Sequence, residues 1–279
     1  MTDESNVIVI DEKWFDFYRK TEKIKKRKCD PDLPPKMTQS KTHIRKLMFL
    51  AALGLPQYTP NGDYFDGLVF IEPFIVQQQA KRRSRNRPAG TLEIKPKNVD
   101  SDTFQLMVLK VNGLLDAIKA KTTGMNVKII VQQDNATPHV GKHTREIINM
   151  AALNRGLDIY FVNQPAQSPD LNRLDLCLFH SLNKQRELIK RRCNNYEELI
   201  ETVRQAFVDY SDDRLKRVYG LQFVVYREIL KSHGKSGFRI PHTNIRNRQK
   251  EDESTTVDYR CPKELVLDAR LALASLLHN

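Results

Sequence analysis

The 279-residue sequence predicts an α/β fold, because short apolar runs of strand length alternate with amphipathic segments of helical period. Hydrophobic residues make up 40% of the chain and charged residues 29%, a globular composition that excludes a wholly disordered or collagen-like chain. The length allows one large domain or two small ones, and either can bury a core.

The first half of the chain contains three predicted strands and one predicted helix. Apolar runs at residues 7–10, 44–53 and 67–75 are rich in β-branched and aromatic side chains and predict the strands. From Ser101 the apolar side chains repeat every 3.6 residues, which predicts an amphipathic helix that ends at Gly124. A strand-to-helix change of period of this kind indicates an α/β layer.

The same alternation continues through the middle of the chain. Short apolar runs at residues 127–131 and 157–162 predict two further strands, with a helix over 142–154 between them. Gly156 is suited to the left-handed conformation that ends many helices.

After Pro169 the chain is predicted to be helical to the end of the fold. The pair Asn195 and Glu198 forms a capping-box pattern before one helix, and a second helix is predicted over 212–232. We therefore predict three parts, an α/β domain, a helical C-terminal part of that domain, and a polar linker followed by an amphipathic helix, over residues 1–192, 193–244 and 245–279.

Positive charge is concentrated in two segments. Residues 19–46 carry eleven Lys or Arg against three acids, and residues 80–98 carry seven against one. Their net charges of +8 and +6 exceed the +12 of the whole chain, so the rest of the chain is close to neutral. Local basicity of this kind indicates loops that contact a polyanion such as a nucleic acid.

The sequence predicts neither a membrane span nor a secretion signal. The longest apolar run, residues 47–55, is far shorter than the roughly 20 residues that a spanning helix needs. The four cysteines form no C-x-x-C pair, which favours a reducing compartment. The basic runs at residues 23–28 and 81–87 are typical of nuclear import signals or of DNA contacts, and we predict a nuclear location.

Three aspartates stand next to predicted strands or helices: Asp11, Asp134 and Asp175. Each alone is most simply a turn former or a helix cap. Together in a basic α/β chain they indicate a site, because carboxylates gathered at strand ends repel unless a hard cation neutralises them. Two Mg²⁺ ions held in this way can stabilise the attacking and leaving oxygens of a phosphodiester displacement.

These residues lie in three motifs that resemble the catalytic blocks of mariner-type transposases. The motifs are VIVIDEKWF from residue 7, IIVQQDNATPH from residue 129 and QPAQSPDLNRLDLCLF from residue 164. They occur in the family's order, and the text between them is similar to the plant branch over about residues 7–245. The 41-residue interval from Asp134 to Asp175 is also close to that of the plant branch.

The resemblance implies a fold, a chemistry and partners. The fold is an RNase H-like mixed sheet flanked by helices, with a helical C-terminal extension. The Asp-Asp-Asp triad falls on Asp11, Asp134 and Asp175, and it would bind two Mg²⁺ (or Mn²⁺) ions and act on double-stranded DNA. The loop over residues 16–40 would reach the partner subunit of a homodimer in the DNA complex, although without a partner it is simply a solvated basic loop.

Two neighbouring acids compete with this triad. Glu12 points to the opposite face from Asp11 if the strand continues, because side chains alternate along a strand. Asp170 follows Pro169 and is predicted to be a helix N-cap. Asp175 has apolar residues at i+3, i+4 and i+7 that would anchor its helix, so we predict Asp175 as the third ligand.

The residues predicted to contact nucleic acid lie mostly in the two basic segments. His139 is included as a candidate for phosphate contact or ligand positioning, with a buried structural role as the simpler alternative. The basic segments themselves are solvated loops if no anion is near. The predicted contacts are Lys25, Lys26, Arg27, Lys28, Lys81, Arg82, Arg83, Arg85, Arg87 and His139.

We therefore predict a metal-dependent DNA endonuclease and strand transferase of the DDE/D type. The alternative is a catalytically silent or domesticated DNA-binding protein that retains the fold. Members of the family carry paired helix-turn-helix modules before the catalytic domain, whereas the first strand here begins at residue 7, so we expect a fragment, a truncated copy or a domesticated derivative. A nuclease for RNA–DNA hybrids has no support beyond the fold.

Overall fold

A computed structural model describes residues 4–18, 44–84, 87–125, 127–235, 238 and 262–277. Its centre is a five-stranded mixed sheet in the order β5-β2-β1-β8-β9, accompanied by two small two-stranded sheets, β3-β4 and β6-β7. The strands are β1 (Val7–Asp16), β2 (Lys46–Gly54), β3 (Gln57–Tyr58), β4 (Tyr64–Phe65), β5 (Leu68–Pro73), β6 (Ile75–Gln79), β7 (Leu92–Pro96), β8 (Ile129–Gln133) and β9 (Ile159–Asn163).

The first strand occupies the middle of the sheet. It pairs antiparallel with β2 along almost its whole length, from Ile8 to Asp16. On its other side it pairs parallel with β8, but only over Val7 to Val9. The part of β1 after Val9 is therefore paired with β2 on one edge, while its other edge is unpaired next to the end of β8.

Helices cover both faces of the sheet. Residues of β1 with odd numbers, such as Val9, pack with the helices that follow residue 170, whereas Ile8 and Ile10 pack with the helices of the 101–154 region. The helices are α1 (Ser101–Leu109), α2 (Leu114–Thr122), α3 (Thr137–Val140), α4 (Lys142–Asn154), α5 (Phe179–Ile189), α6 (Tyr196–Val208), α7 (Asp212–Lys231) and α8 (Lys263–Leu277). No helix in the described ranges is long and apolar enough to cross a bilayer.

Several predicted boundaries are confirmed by their capping contacts. Gly156 has a φ of +71° directly after α4, as a C-terminal cap requires. The side chain of Asn195 accepts a hydrogen bond from the Glu198 N–H at 2.8 Å, and a Glu198 carboxylate oxygen accepts one from the Asn194 N–H at 2.8 Å. One half of the capping box is therefore formed at the start of α6, and the Glu198 carboxylate reaches back to the residue before the N-cap Asn195.

Two predicted elements are divided in the structure. The single helix predicted from Ser101 to Gly124 is interrupted, because Asn112 adopts a φ of +57° and Gly113 lies so close to the preceding turn that a Cβ there would approach the Met107 carbonyl oxygen to 2.6 Å. The strand predicted over 67–75 ends at Pro73, and a second strand follows it. That second strand pairs with β7, so the predicted basic loop contains a β-hairpin.

Gly67 allows the chain to turn tightly between β4 and β5, and replacing it with Ala is expected to destabilise the fold. Its φ is +77°, and a Cβ would lie 2.4 Å from the Gly54 carbonyl oxygen, which cannot move without disturbing β2. The positive φ alone costs about 1–2 kcal/mol for a residue with a Cβ, and the clash adds to it. Gly62→Ala is the control, because its φ is +88° but nothing lies within 4 Å. Urea unfolding should show a larger loss for Gly67→Ala; equal losses would contradict this account.

Candidate active site

Asp11 lies inside β1, not after its end as the sequence predicts. The strand continues to Asp16 because β2 supplies antiparallel partners along that stretch. The carboxylate of Asp11 is buried, with 8% of the residue exposed. Its Oδ2 accepts a hydrogen bond from Asn172 Nδ2 at 3.0 Å, and its Oδ1 accepts one from the Glu12 N–H at 2.7 Å. Asp11 is thus tied to the segment that leads into α5.

Asp134 is the first residue after β8. Val9 of β1 pairs with Gln132, so the parallel register brings Asp134 to the same end of the sheet as Asp11. Its Oδ1 accepts a hydrogen bond from the Ala136 N–H at 2.9 Å and lies 2.7 Å from His139 Nδ1. The hydrogen bond with His139 is the main reason that the pKa of Asp134 lies below its usual range.

Asp175 lies in a π-helical turn, Leu174–Leu178, that precedes α5. Leu174 and Leu178 are buried and hold the turn against the sheet, while the Asp175 side chain is 40% exposed. Lys13 Nζ lies 3.6 Å from its Oδ1. Isolated π-helical turns within α-helices are often found at functional sites.

The predicted N-cap role of Asp170 is wrong. Asp170 is the middle residue of a 3₁₀ turn, Pro169–Leu171, and its backbone carbonyl accepts a hydrogen bond from Gln222 Nε2 at 2.9 Å. Asn172 acts instead at this point, because its Oδ1 accepts the Leu174 N–H at 3.0 Å while its amide holds Asp11. One buried Asn therefore joins the strand of Asp11 to the helix of Asp175.

The three aspartates share an electrostatic environment. The pKa of Asp11 is raised from 3.8 to about 8, first by burial and then by the negative charges of Asp175, Glu12 and Asp134. The register of β1 against β8 places Asp11 and Asp134 at the same end of the sheet, and the charge of Asp175 also acts on Asp11.

His139 connects two of the acids at this place. Its ring is buried, with 2% of the side chain exposed, and its Nε2 lies 2.9 Å from Glu12 Oε1 while Nδ1 faces Asp134. The ring also packs on Phe104, with 4.3 Å between centroids. Burial disfavours the charged imidazolium, but the hydrogen bonds to Asp134 and Glu12 outweigh it and raise the pKa of His139 to about 9.

This placement favours the simpler alternative for His139, a buried structural role, over contact with nucleic acid. Both ring nitrogens are engaged and the ring is inaccessible, so a phosphate has no route to it. Glu12 points to the opposite face of β1 from Asp11, as strand alternation predicts, yet it reaches the site through His139. The sequence led us to set Glu12 aside as a rival of Asp11, and it did not lead us to Asn172. The one available signal was the position of Asn172 two residues before the predicted helix, which is typical of an Asx turn.

The predicted basic contacts that the structure describes lie between β6 and β7. Lys81, Arg82 and Arg83 are exposed beyond the end of β6. Arg87 forms an ion pair with Glu93 at 2.8 Å, so part of its charge is balanced within the hairpin. Arg85 and the run Lys25, Lys26, Arg27 and Lys28 lie outside the described residues.

The donor chemistry of the carboxylate group suits a hard divalent cation. Asp11, Asp134 and Asp175 offer only oxygen donors, which Mg²⁺ and Mn²⁺ prefer, and a cation would offset both the burial and the repulsion that raise the pKa of Asp11. Two of these carboxylates contact cations of the chain itself, His139 and Lys13. Across the described ranges, no three or more His, Cys, Asp or Glu side chains are grouped closely enough to hold a metal ion as they stand.

The structure is similar to solved structures of Mos1 transposase. A Mos1 paired-end complex with the left transposon end has a TM-score of 0.56 at 21% identity, covering 83% of this chain and 56% of that chain. The Mos1 mariner paired-end complex with Mn has a TM-score of 0.56 at 18% identity, covering 85% and 58%. The Mos1 catalytic domain with raltegravir and Mn has a TM-score of 0.54 at 17% identity, covering 85% and 87%.

At these identities the likeness establishes the fold, which is the RNase H-like fold of the Mos1 catalytic domain, as the sequence predicts. The chain spans just over half the length of the Mos1 chains in the DNA complexes. No protein-family model matches the sequence, and a search of curated proteins found no match.

Proposed function

We propose that this chain is the catalytic domain of a mariner-type transposase, a metal-dependent DNA endonuclease and strand transferase. The observation that carries the proposal is the buried carboxylate of Asp11, which the register of β1 against β8 puts at the same end of an RNase H-like sheet as Asp134, and whose pKa is raised by burial and by the charges of Asp175, Glu12 and Asp134. A group of acids that repel one another at a strand end is suited to binding divalent cations. The motif resemblance and the Mos1 fold support the same activity.

In this proposal each residue of the site has a separate task. Asp11, Asp134 and Asp175 would hold two Mg²⁺ or Mn²⁺ ions, which would supply Lewis acidity for phosphodiester hydrolysis and strand transfer. Asn172 orients Asp11 through its 3.0 Å hydrogen bond. His139 fixes one oxygen of Asp134, which leaves the other oxygen for a cation.

The second candidate function is a DNA-binding protein that has the fold without the chemistry. It is favoured by one observation, that Lys13 and His139 already contact Asp175 and Asp134. An ammonium and an imidazolium in these places can neutralise the carboxylates without a metal. The two functions differ in what a divalent cation does to the protein.

Metal-dependent stabilisation and DNA nicking test the proposal together. Mn²⁺ at 100 times its Kd stabilises the protein by about 2.7 kcal/mol, which corresponds to a rise in Tm of roughly 5–10 °C. Supercoiled plasmid should be nicked in Mn²⁺ by the parent and not by Asp134→Asn, which keeps the shape of the side chain but loses its charge. Both proteins should bind DNA equally well by fluorescence anisotropy.

The control is Asp158→Asn, a change at an exposed aspartate just before β9 that should alter neither the melting shift nor nicking. If the parent binds DNA but shows neither a metal-dependent rise in Tm nor nicking, the enzyme proposal is wrong and the DNA-binding protein is the better-supported function.

We propose that duplex DNA is the partner, that two copies of the chain act together on it, and that the protein works in the nucleus. The basic segments at residues 19–46 and 80–98 support duplex DNA as the partner and the nucleus as the location. The proposal that two copies act together rests on the family resemblance of the loop between the first two strands.

A further inference from the structure

Two of the three carboxylates contact side chains that are fixed in the core. Asn172, which donates a hydrogen bond to Asp11, is 1% exposed. His139, whose Nδ1 lies 2.7 Å from Asp134 Oδ1, has a side chain that is 2% exposed. The dense packing of a protein interior leaves such side chains little room to move. These two contacts should therefore stay the same when a cation enters the site.

The third carboxylate, that of Asp175, contacts a side chain that can move. Lys13 Nζ lies 3.6 Å from Asp175 Oδ1, and the two side chains are 44% and 40% exposed. The ammonium of a lysine sits on a flexible four-carbon stem. An ion pair at this exposure contributes little free energy, so a competing cation can displace the ammonium. Of the three contacts, this one is the most easily broken.

The strand geometry places Lys13 beside the other carboxylates. Side chains alternate along a strand, so Lys13 lies on the same face of β1 as Asp11, with about 7 Å between their Cα atoms. It also lies beyond Val9, where the edge of β1 next to β8 is unpaired. The ammonium is therefore at the end of the sheet where Asp11 and Asp134 are placed.

An aromatic ring limits how far the ammonium can move. Lys13 Nζ lies 5.6 Å from the ring centroid of Phe179, within the range of cation–π attraction. Phe179 is the first residue of α5 and is buried, so the ring keeps its place when the lysine moves. An ammonium that leaves Asp175 is thus retained at the site by the ring.

We propose that Lys13 exchanges partners during the reaction. It neutralises Asp175 in the metal-free protein, and it binds an oxygen of the scissile phosphate once divalent cations occupy the carboxylates. The ammonium is repelled when a second cation binds Asp175, and the phosphate is the anion that the substrate brings to the same place. An ammonium there stabilises the negative charge that develops on the phosphate oxygens. Lys13 is then a catalytic residue in addition to the three aspartates.

This inference rests on the proposed function for its metal and its substrate, but its first test does not need cleavage. Isothermal titration calorimetry measures the Kd of Mn²⁺ for the full chain without DNA. In Lys13→Gln no ammonium competes for Asp175, so Mn²⁺ should bind about two- to fivefold more tightly than to the parent, the factor that an exposed ion pair accounts for. Lys13→Arg keeps the positive charge and should bind Mn²⁺ as the parent does.

Lys128→Gln is the matched control. Lys128 Nζ lies 3.9 Å from Asp158 Oδ1 and 5.6 Å from the ring centroid of Tyr160, so it has the same two kinds of contact as Lys13. It directly precedes β8, at the opposite end of that strand from Asp134. Its replacement should leave the Kd of Mn²⁺ unchanged. Both lysines are partly exposed, so both Gln variants should melt with the parent in EDTA.

The second measurement is the rate of plasmid nicking at saturating Mn²⁺. Lys13→Gln should nick about 100-fold more slowly than the parent, a loss typical of removing one group that stabilises charge in the transition state. Lys13→Arg should restore most of the rate, and Lys128→Gln should nick as the parent does. Tighter metal binding combined with slower nicking is not expected of a lysine that only supports the fold.

The outcomes distinguish this inference from the proposed function. The same Kd of Mn²⁺ for the parent and Lys13→Gln, or equal nicking rates, would overturn the exchange even if the parent is an active nuclease. If neither protein binds Mn²⁺, both the exchange and the enzyme are wrong. Tighter Mn²⁺ binding by Lys13→Gln, with a parent that never nicks DNA, would overturn the enzyme and the phosphate contact and would leave Lys13 as the counter-ion of Asp175 alone.

Discussion

Asp11→Asn is expected to stabilise the metal-free protein at pH 8 and to abolish DNA cleavage. The folded pKa of Asp11 is about 8, above its ordinary value of 3.8, so between these values the folded state binds more protons than the unfolded state. The contribution of Asp11 to the free energy of unfolding is therefore highest at low pH and falls as the pH rises from about 4 to 8. Asn cannot ionise, so the variant should not show this loss.

The magnitude follows from the shift of the pKa. Each pKa unit corresponds to 1.36 kcal/mol, so at pH 8 the ionisation of Asp11 lowers the parent's free energy of unfolding by at most about 5 kcal/mol. Asp11→Asn should avoid this decrease. Urea unfolding at pH 5 and pH 8 in EDTA measures it, and added Mn²⁺ should stabilise the parent but not the variant. Asp16→Asn, on the same strand, is the control. Parallel pH profiles for parent and Asp11→Asn would show that Asp11 is not held among like charges.

His139→Gln is expected to destabilise the protein and to abolish cleavage. The imidazolium lies between Glu12 and Asp134, and its loss leaves two neighbouring acids without their shared cation. Removing one member of a buried ion pair costs about 3–5 kcal/mol. Because the pKa of His139 is raised to about 9, this contribution is complete below about pH 6.5 and is lost as the pH rises through 9.

The double variant Glu12→Gln, His139→Gln should recover part of this loss, since it removes one of the two acids. Urea unfolding at pH 6 and pH 9 measures each corner of the cycle, and the effect of His139→Gln should be larger at pH 6. His143→Gln, at an exposed position one turn along the chain, is the control and should change stability by less than about 0.5 kcal/mol. If both His variants unfold alike at pH 6, His139 does not hold the acids together.

The α/β fold could be predicted because it depends on local patterns, whereas the roles of the three aspartates stay a prediction. Apolar runs marked the strands, and the blocks around Asp11, Asp134 and Asp175 occurred in a recognisable order. The assignment of Asp170 to an N-cap failed because a 3₁₀ turn and a π-helical turn follow Pro169, and nothing in a helical period distinguishes these turns from an ordinary helix.

The contacts between the motifs could not be predicted in the same way. The hydrogen bond from Asn172 to Asp11 spans 161 positions, and that between His139 and Glu12 spans 127. The second depends on the register of β1 against β8 and the first on how the segment before α5 packs against β1, and a sequence displays neither. The hairpin was missed because β7 is short and its strand residues are mostly exposed, so the usual alternation of apolar and polar residues is weak.

The central position of β1 has a consequence for how the protein is made. Its parallel partner begins about 120 residues later, since Val7 pairs with Ile130. At a synthesis rate of about 5–20 residues per second, β1 waits roughly 6–25 s for that partner to leave the ribosome. During this time its apolar edge is open to other chains, and the long sequence separation makes closure of the sheet slow. Because Asp11 meets Asp134 only when this sheet closes, a nascent chain cannot assemble the carboxylate group, and any nuclease activity begins only in a protein that has completed its fold.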